Sequence, residues 1–198
     1  YGMFLKDGKA LCGIGQLSEE MKASGVPPMW NSYVNVDDAA AIAGKVEAAG
    51  GKITVPPTQM GEFGSLAFFI DPAGAGFAVW QPGTMAGSQL VNEDNTFTWN
   101  ELLSTDLVAS KAFYESVFAW THEDKPMPHG VDYTIFSNKD AMNAGAIPMP
   151  EGVPAPSHWV VYFQVPDIAA SLEKIKSSGG TVHHGPMEIP QGQIATVA

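Results

Sequence analysis

Slid along itself by 129 positions, the chain repeats. Trp30 falls on Trp159, Tyr33 on Tyr162, Val36 on Val165 and Asp38 on Asp167. Lys45 then falls on Lys174, Gly50-Gly51 on Gly179-Gly180 and Pro57 on Pro186. Gly64 matches Gly192 one position short of that offset. A repeat at this distance is too long for a solenoid unit and reads as two similar domains in tandem. The match predicts a first domain over residues 1–82, a linker over 83–96 and a second domain over 97–198. The linker is the least patterned connection, Gly83-Thr84-Met85-Ala86-Gly87-Ser88 onward. The first copy carries a turn, Asp71-Pro72-Ala73-Gly74, and a last strand that the second copy does not reach, and Tyr1-Gly2-Met3-Phe4 aligns with Tyr133-Thr134-Ile135-Phe136. The expectation is a piece of a longer protein, with roughly 36 residues before it and about a dozen after.

Local patterning gives the units of that repeat. Asp7-Gly8 suits a tight hairpin between strands Tyr1–Leu5 and Ala10–Gly15. Trp30–Val36 reads as a strand with Asn31, Tyr33 and Asn35 on one face. A helix follows over Ala39–Ala49, capped by Asp37 or Asp38 and ended by Gly50-Gly51, with Ile42, Val46 and Ala49 on its buried stripe. Strands over Lys52–Pro56, Ser65–Ile70 and Gly76–Trp80 complete a β-α-β-β-β unit. In the second copy, a strand carries Val160, Tyr162 and Gln164 on one face, and Asp167 caps a helix striped by Ile168, Leu172 and Ile175. Between the copies lie a strand Thr98–Ser104, a helix capped by Asp106 with Phe113, Val117 and Trp120 on one face, and a hairpin of Val131–Ser137 with Ala141–Ile147. Overlaying Asp106 on Asp38 makes each domain two such units.

The balance of 10 basic against 21 acidic residues leaves a net charge of −11. That disfavours nucleic acid and anionic membrane as partners, since both need a basic surface. No apolar run reaches the roughly 18 residues of a membrane span, and no secretory signal is visible. Cys12 is the only cysteine, so there is no intrachain disulfide, and a reducing cytoplasm is the expected compartment. With no basic neighbour, Cys12 is a poor nucleophile. Phosphate loops, dinucleotide glycine patterns and serine elbows are absent. The sequence carries no signal of oligomeric state.

Three stretches carry a family resemblance: Trp99-Asn100-Glu101-Leu102-Leu103-Ser104-Thr105-Asp106, the helix Ala109-Ser110-Lys111-Ala112-Phe113-Tyr114 running to Phe118-Ala119-Trp120, and the turn Asp71-Pro72-Ala73-Gly74. With the duplication, they resemble the vicinal oxygen chelate superfamily of glyoxalase I, bleomycin-resistance proteins and extradiol dioxygenases. The likeness is greatest to actinobacterial two-domain glyoxalase-like proteins, often labelled hydroxylases. It implies an α+β fold of paired β-α-β-β-β modules forming two cup-shaped, incompletely closed sheets. It also implies a divalent metal in the cup of metal-using members, held by His, Gln or Glu. Mapped onto this chain, those ligand positions fall on Trp99, Asn31, Val160 and Ala78. Trp, Val and Ala cannot coordinate such a cation and Asn is a weak donor. The expectation is therefore no metal and no other cofactor.

The expected function is binding of a small organic molecule in a β-cup. Asn31, Tyr33, Asn35, Trp80, Trp99, Tyr162 and Gln164 are the expected ligand contacts, because amides and phenols kept on a buried face line a cavity more readily than a dry core. Glu101, on the strand face of Trp99, is the candidate general acid or base. The alternative is a metal-dependent glyoxalase, dioxygenase or hydroxylase acting on a small carbonyl or aromatic metabolite, its metal held by Glu101, His158 and His184. His122 and His129 read as surface loop residues, and Asp71-Pro72-Ala73-Gly74 as turn chemistry.

Overall fold

Asp7 and Gly8, both at positive φ (51° and 77°), close the first hairpin, between β1 (Gly2–Lys6) and β2 (Lys9–Ile14). A computed structural model describes residues 1–127 and 130–198, and His129 lies outside the described residues. A single-turn helix, α1 (Glu19–Ala23), follows with no buried residue. The first complete unit then runs β3 (Tyr33–Asn35), α2 (Ala39–Ala48), β4 (Lys52–Gln59), β5 (Gly64–Ile70) and β6 (Gly76–Pro82). Its sheet has the order β3-β6-β5-β4, with β3 parallel to β6 and the rest antiparallel.

The next unit repeats that order. β7 (Phe97–Ser104), α3 (Leu107–Phe118), β8 (Thr121–Pro126), β9 (Asp132–Asn138) and β10 (Ala141–Pro148) form β7-β10-β9-β8, with β7 parallel to β10. β11 (His158–Phe163) adds antiparallel to the free side of β7, giving five strands. α4 (Ile168–Ser177) leads to a separate hairpin of β12 (Val182–Ile189) and β13 (Gly192–Val197). The result is an α+β chain of mostly strands in several sheets, none of them a closed barrel among the described residues. No helix among the described residues is long and apolar enough to cross a membrane.

All three longer helices start the same way. The side chains of Asp38, Asp106 and Asp167 accept from the backbone N–H of Ala41, Ala109 and Ala170 at 2.9, 3.0 and 2.9 Å. Each cap is worth about 1 kcal/mol. α2 and α4 give way to Gly50 and Gly179 at positive φ, while α3 ends on Ala119, itself left-handed at φ 56°.

The largest core does not belong to one unit. Ile42, Ala43 and Val46 of α2 and Ala67, Phe69, Phe77 and Val79 of its sheet join Leu102, Phe113, Tyr114, Val117, Trp120 and Phe136 of the next unit in one cluster. α2 and α3 are the meeting surfaces, so each sheet turns its other face outward. Tyr114 is the hub. Its ring lies 5.4 to 5.9 Å from those of Phe77, Trp120, Phe136 and Trp159, within the range where aromatic pairs add stability beyond buried area.

A buried polar chain crosses that core. Trp159 Nε1 donates to the Tyr114 hydroxyl at 2.9 Å, and that hydroxyl donates to Asp71 Oδ2 at 3.2 Å. Asp71 Oδ1 accepts from the N–H of Ala75 at 2.8 Å. Asp71 is thus more than a turn residue: it closes the Asp-Pro-Ala-Gly turn and ties two units together. Burial pushes its carboxyl above the ordinary value, against the lowering pull of its hydrogen bonds.

Candidate functional site

Alternation fixes which side chains of β7 face outward. Leu102 and Ser104 are buried toward the helices, so Trp99, Glu101 and Leu103 stand on the opposite face. Across the antiparallel pairing with β11, Tyr162 lies opposite Trp99, Val160 opposite Glu101 and His158 opposite Leu103. On the other flank Gly145 of β10 pairs with Glu101. Glu101 therefore sits mid-sheet, flanked by a valine and a glycine.

Its carboxylate is held by one phenol and has a second nearby. Tyr162 donates to Glu101 Oε2 at 3.0 Å, and the Tyr133 hydroxyl, which accepts from Trp99 Nε1 at 2.8 Å, lies near enough to feel the Glu101 charge. Both phenols are pushed well above their ordinary pKa, first by burial and then by the Glu101 charge, so both remain donors. Gly145 makes this possible. A Cβ there would lie 1.9 Å from the Tyr133 hydroxyl and 2.9 Å from Trp99 Nε1, so only a bare backbone lets the ring lie across β10.

Glu101, Trp99 and Tyr162 thus share one face, as expected. Tyr133 and Gly145 complete the group and escaped the sequence reading, although the alignment of Tyr1 on Tyr133 marked the position. Gln164 falls elsewhere: β11 ends at Phe163 after a bulge, and Gln164 Nε2 donates to Asp94 at 3.2 Å.

In the first sheet, Tyr33 and Asn35 pair with Ala78 and Trp80 and share the outward face with them. Tyr33 meets Phe68 edge-on at 5.6 Å between ring centres, and its phenol is pushed up to about 12 by burial and by the neighbouring Tyr1. Asn35 Nδ2 donates to the carbonyl of Ala86 at 3.1 Å, and Trp80 Nε1 to that of Met85 at 2.8 Å. Asn31 lies before β3, which starts only at Tyr33, and is exposed in a loop. Trp30 is likewise outside the strand and packs edge-on against Phe163. The segment is pinned instead by Ser32, whose hydroxyl donates to Asn100 Oδ1 at 2.6 Å.

The histidines are dispersed. His158 Nδ1 meets the carbonyl of Pro156 at 2.8 Å, beside Leu103 rather than Glu101. His184 is exposed on β12 opposite Thr196. His122 stands on strand β8, not in a loop, with Nδ1 2.6 Å from Glu115. Two recesses lie away from Glu101. One of about 260 Å³ is lined by Phe4, Leu11, Cys12, Trp30, Asn95 and Phe163. One of about 250 Å³ lies around Lys111, Asp124 and Thr134. Burial raises the Cys12 thiol, consistent with an inert residue.

The fold corresponds to that of known proteins. Residues 96–198 match the family description "Glyoxalase/Bleomycin resistance protein/Dioxygenase superfamily". The chain is 37% identical over its whole length to "Putative glyoxylase CFP32" of Mycobacterium tuberculosis, covering 76% of that protein. It is 32% identical to "Anthracycline biosynthesis protein DnrV" of Streptomyces peucetius, over 86% of this chain and 62% of that one. Among solved structures, the Mn(II)-bound glyoxalase from Novosphingobium aromaticivorans superposes with TM-score 0.53 at 16% identity, over 83% of this chain and 60% of that chain. The 2,2',3-trihydroxybiphenyl 1,2-dioxygenase of Sphingomonas wittichii RW1 gives 0.53 at 15%, over 84% and 70%. The chain belongs to the glyoxalase/bleomycin resistance protein/dioxygenase superfamily, a member of the vicinal oxygen chelate group that its sequence resembles.

Metal dependence is typical of that family, so the donors on this face are the test. Glu101 is the carboxylate of the face, its partners across the sheet are Val160 and Gly145, and two phenols occupy it. Among the described residues no three His, Cys, Asp or Glu side chains group as a metal site. This donor set does not fit a divalent cation, which asks for several anionic or imidazole ligands at once.

Proposed function

We propose that this protein binds a small organic molecule on the outward faces of its sheets, without the metal centre common in its family. The observation that carries the reading is the quartet Trp99, Tyr133, Glu101 and Tyr162. Where a metal-using cup needs converging ligands, this face has a carboxylate that accepts from one phenol, beside a second phenol bonded to an indole. Such a surface offers a hydrogen-bond acceptor, two hydroxyls and an aromatic wall, a combination suited to an aromatic or carbonyl-bearing ligand. Tyr33, Asn35 and Trp80 offer a second surface of similar chemistry.

A second reading makes Glu101 a proton carrier. Tyr162 and Tyr133 would orient its oxygens toward a bound carbonyl compound, as a general acid or base requires.

Metal analysis of the intact, tag-free protein, with thermal-shift screening of small aromatic and carbonyl compounds, tests the proposal. The expected result is no stoichiometric iron, manganese, nickel or zinc, and a melting rise with at least one compound that Glu101→Gln or Tyr162→Phe diminishes. Stoichiometric metal lost in His158→Ala would overturn it. Turnover of a bound compound, abolished in Glu101→Gln while binding persists, would establish the proton-carrier reading.

A further inference from the structure

Among the described residues no cation answers the carboxylate at the centre of the β7 face. Every ion pair there uses another acid: Glu19, Glu93, Glu115, Glu123, Asp124 or Glu173. All the basic residues of the sequence are lysines, so it holds no guanidinium, the group best shaped to fork a carboxylate.

What stands around Glu101 is aromatic. Trp99 precedes it by two residues on the same strand face. Tyr162 lies diagonally across on β11, opposite Trp99, and gives its hydroxyl proton to Oε2 at 3.0 Å. Tyr133 comes from the other flank. Its hydroxyl lies over Gly145, the β10 residue paired with Glu101, and accepts from Trp99 Nε1 at 2.8 Å. Both strands that flank β7 are thus in place, and an aromatic side chain reaches in from each. All four residues are half-buried, so the group is accessible to a solute.

Taking a carboxylate partly out of water is costly unless a positive partner compensates it. Indole and phenol rings offer their negative faces to the same kind of partner. Carboxylate and rings together therefore suit one group, an organic cation. We propose that the Glu101 face takes the protonated amine of a small aromatic molecule, with the ammonium against Glu101 and the ring among Trp99, Tyr133 and Tyr162. The proposal rests on reading this face as the ligand surface, and adds the charge of the ligand. An ammonium N–H given to a carboxylate is a charge-assisted bond, about twice as strong as a neutral one. Tyr133 and Tyr162 keep their protons through the neutral range, so neither competes with Glu101 as an anion. The net charge of −11 draws cations and repels anions at longer range, an effect that salt weakens.

Calorimetric titration of the intact protein at neutral pH with benzylammonium chloride tests this, with benzyl alcohol and sodium benzoate as the neutral and anionic counterparts. Benzylammonium is expected to bind about tenfold more tightly than benzyl alcohol, and benzoate more weakly than either. Added salt should narrow the preference. Glu101→Gln should bring benzylammonium down to the affinity of the alcohol. Gly145→Ala, which displaces Tyr133, should weaken it about threefold. Glu47→Gln removes the same charge from the exposed side of α2 and should leave the affinity unchanged. Melting curves of the three variants confirm that they fold. Benzylammonium that binds no tighter than benzyl alcohol, or not at all, would overturn the proposal. So would a preference that survives Glu101→Gln, or one that Glu47→Gln lowers equally, since the pull is then that of the whole acidic surface. If benzyl alcohol matches benzylammonium and both are lost in Tyr162→Phe, the ammonium class falls while the face stands as the ligand surface.

Discussion

At the scale of single residues, the Trp159–Tyr114–Asp71 chain makes the sharpest demands. Removing one hydroxyl from it leaves an indole N–H and a carboxylate oxygen short of a partner in a buried site, a loss of about 1–3 kcal/mol. Tyr114→Phe, which keeps the ring among Phe77, Trp120 and Phe136, is therefore expected to destabilise by that amount in chemical denaturation. Asp71 adds a pH dependence. Its folded-state pKa lies above the ordinary 3.8, so between 3.8 and the raised value the folded chain holds a proton that the unfolded chain has lost. In that window stability falls as pH rises, and the contribution is fully present only below 3.8. The stability difference between wild type and Asp71→Asn, followed by melting at successive pH values, should shrink upward through the window. Asp124, lowered by Thr134 and Lys111, gives the opposite slope but is common to both proteins and cancels. Glu101 was legible from strand alternation alone, because Trp99 and Glu101 share a parity that Leu102 and Ser104 do not. Tyr133 was not, since its contact with Glu101 depends on a glycine one strand away, and a missing side chain gives no signal in a linear pattern.

Among the elements, aspartate caps and glycine stops made the long helices legible, and the structure follows them within a residue or two. α3 was read to Trp120 and stops at Phe118, because Ala119 turns left-handed without a glycine to mark it. That conformation costs an L-residue about 1–2 kcal/mol, part of which glycine returns in its looser unfolded chain. Ala119→Gly is expected to stabilise by about 0.5–1 kcal/mol in a denaturant titration. β8, Thr-His-Glu-Asp-Lys-Pro, was missed because it is exposed throughout. It is the edge of its sheet, where charge and proline guard an open ladder rather than alternate with a core. α1 was missed for a related reason: with no buried face it has no apolar period to read. β3 proved shorter than its apolar pattern, since the backbone pairs with β6 only from Tyr33 onward, and this moved Asn31 off the sheet.

For the whole molecule, the repeat predicts units in the right order but not how they meet. Phe113, Val117 and Trp120 were expected to bury one helix stripe, and they do, but against α2 and the first sheet as well as their own strands. One-dimensional periodicity says that a face is covered and is silent about what covers it. The stretch read as a linker is also engaged. Gln89 exchanges hydrogen bonds with Ala10, and Lys6 donates to the carbonyl of Asp94. Cutting the polypeptide between residues 82 and 97 therefore does not liberate two self-sufficient halves. Residues 1–82 produced alone would leave Phe77 and Val46 facing water, and residues 97–198 would do the same to Phe113 and Tyr114. Each fragment by itself should precipitate or dye-stain as a partly folded species, while the two produced together should find each other and elute as a single soluble heterodimer. Two soluble, independently melting fragments would contradict this. The seam between α2 and α3 thus makes the nicked chain a natural split-protein pair, held together by hydrophobic contact after the covalent connection has gone.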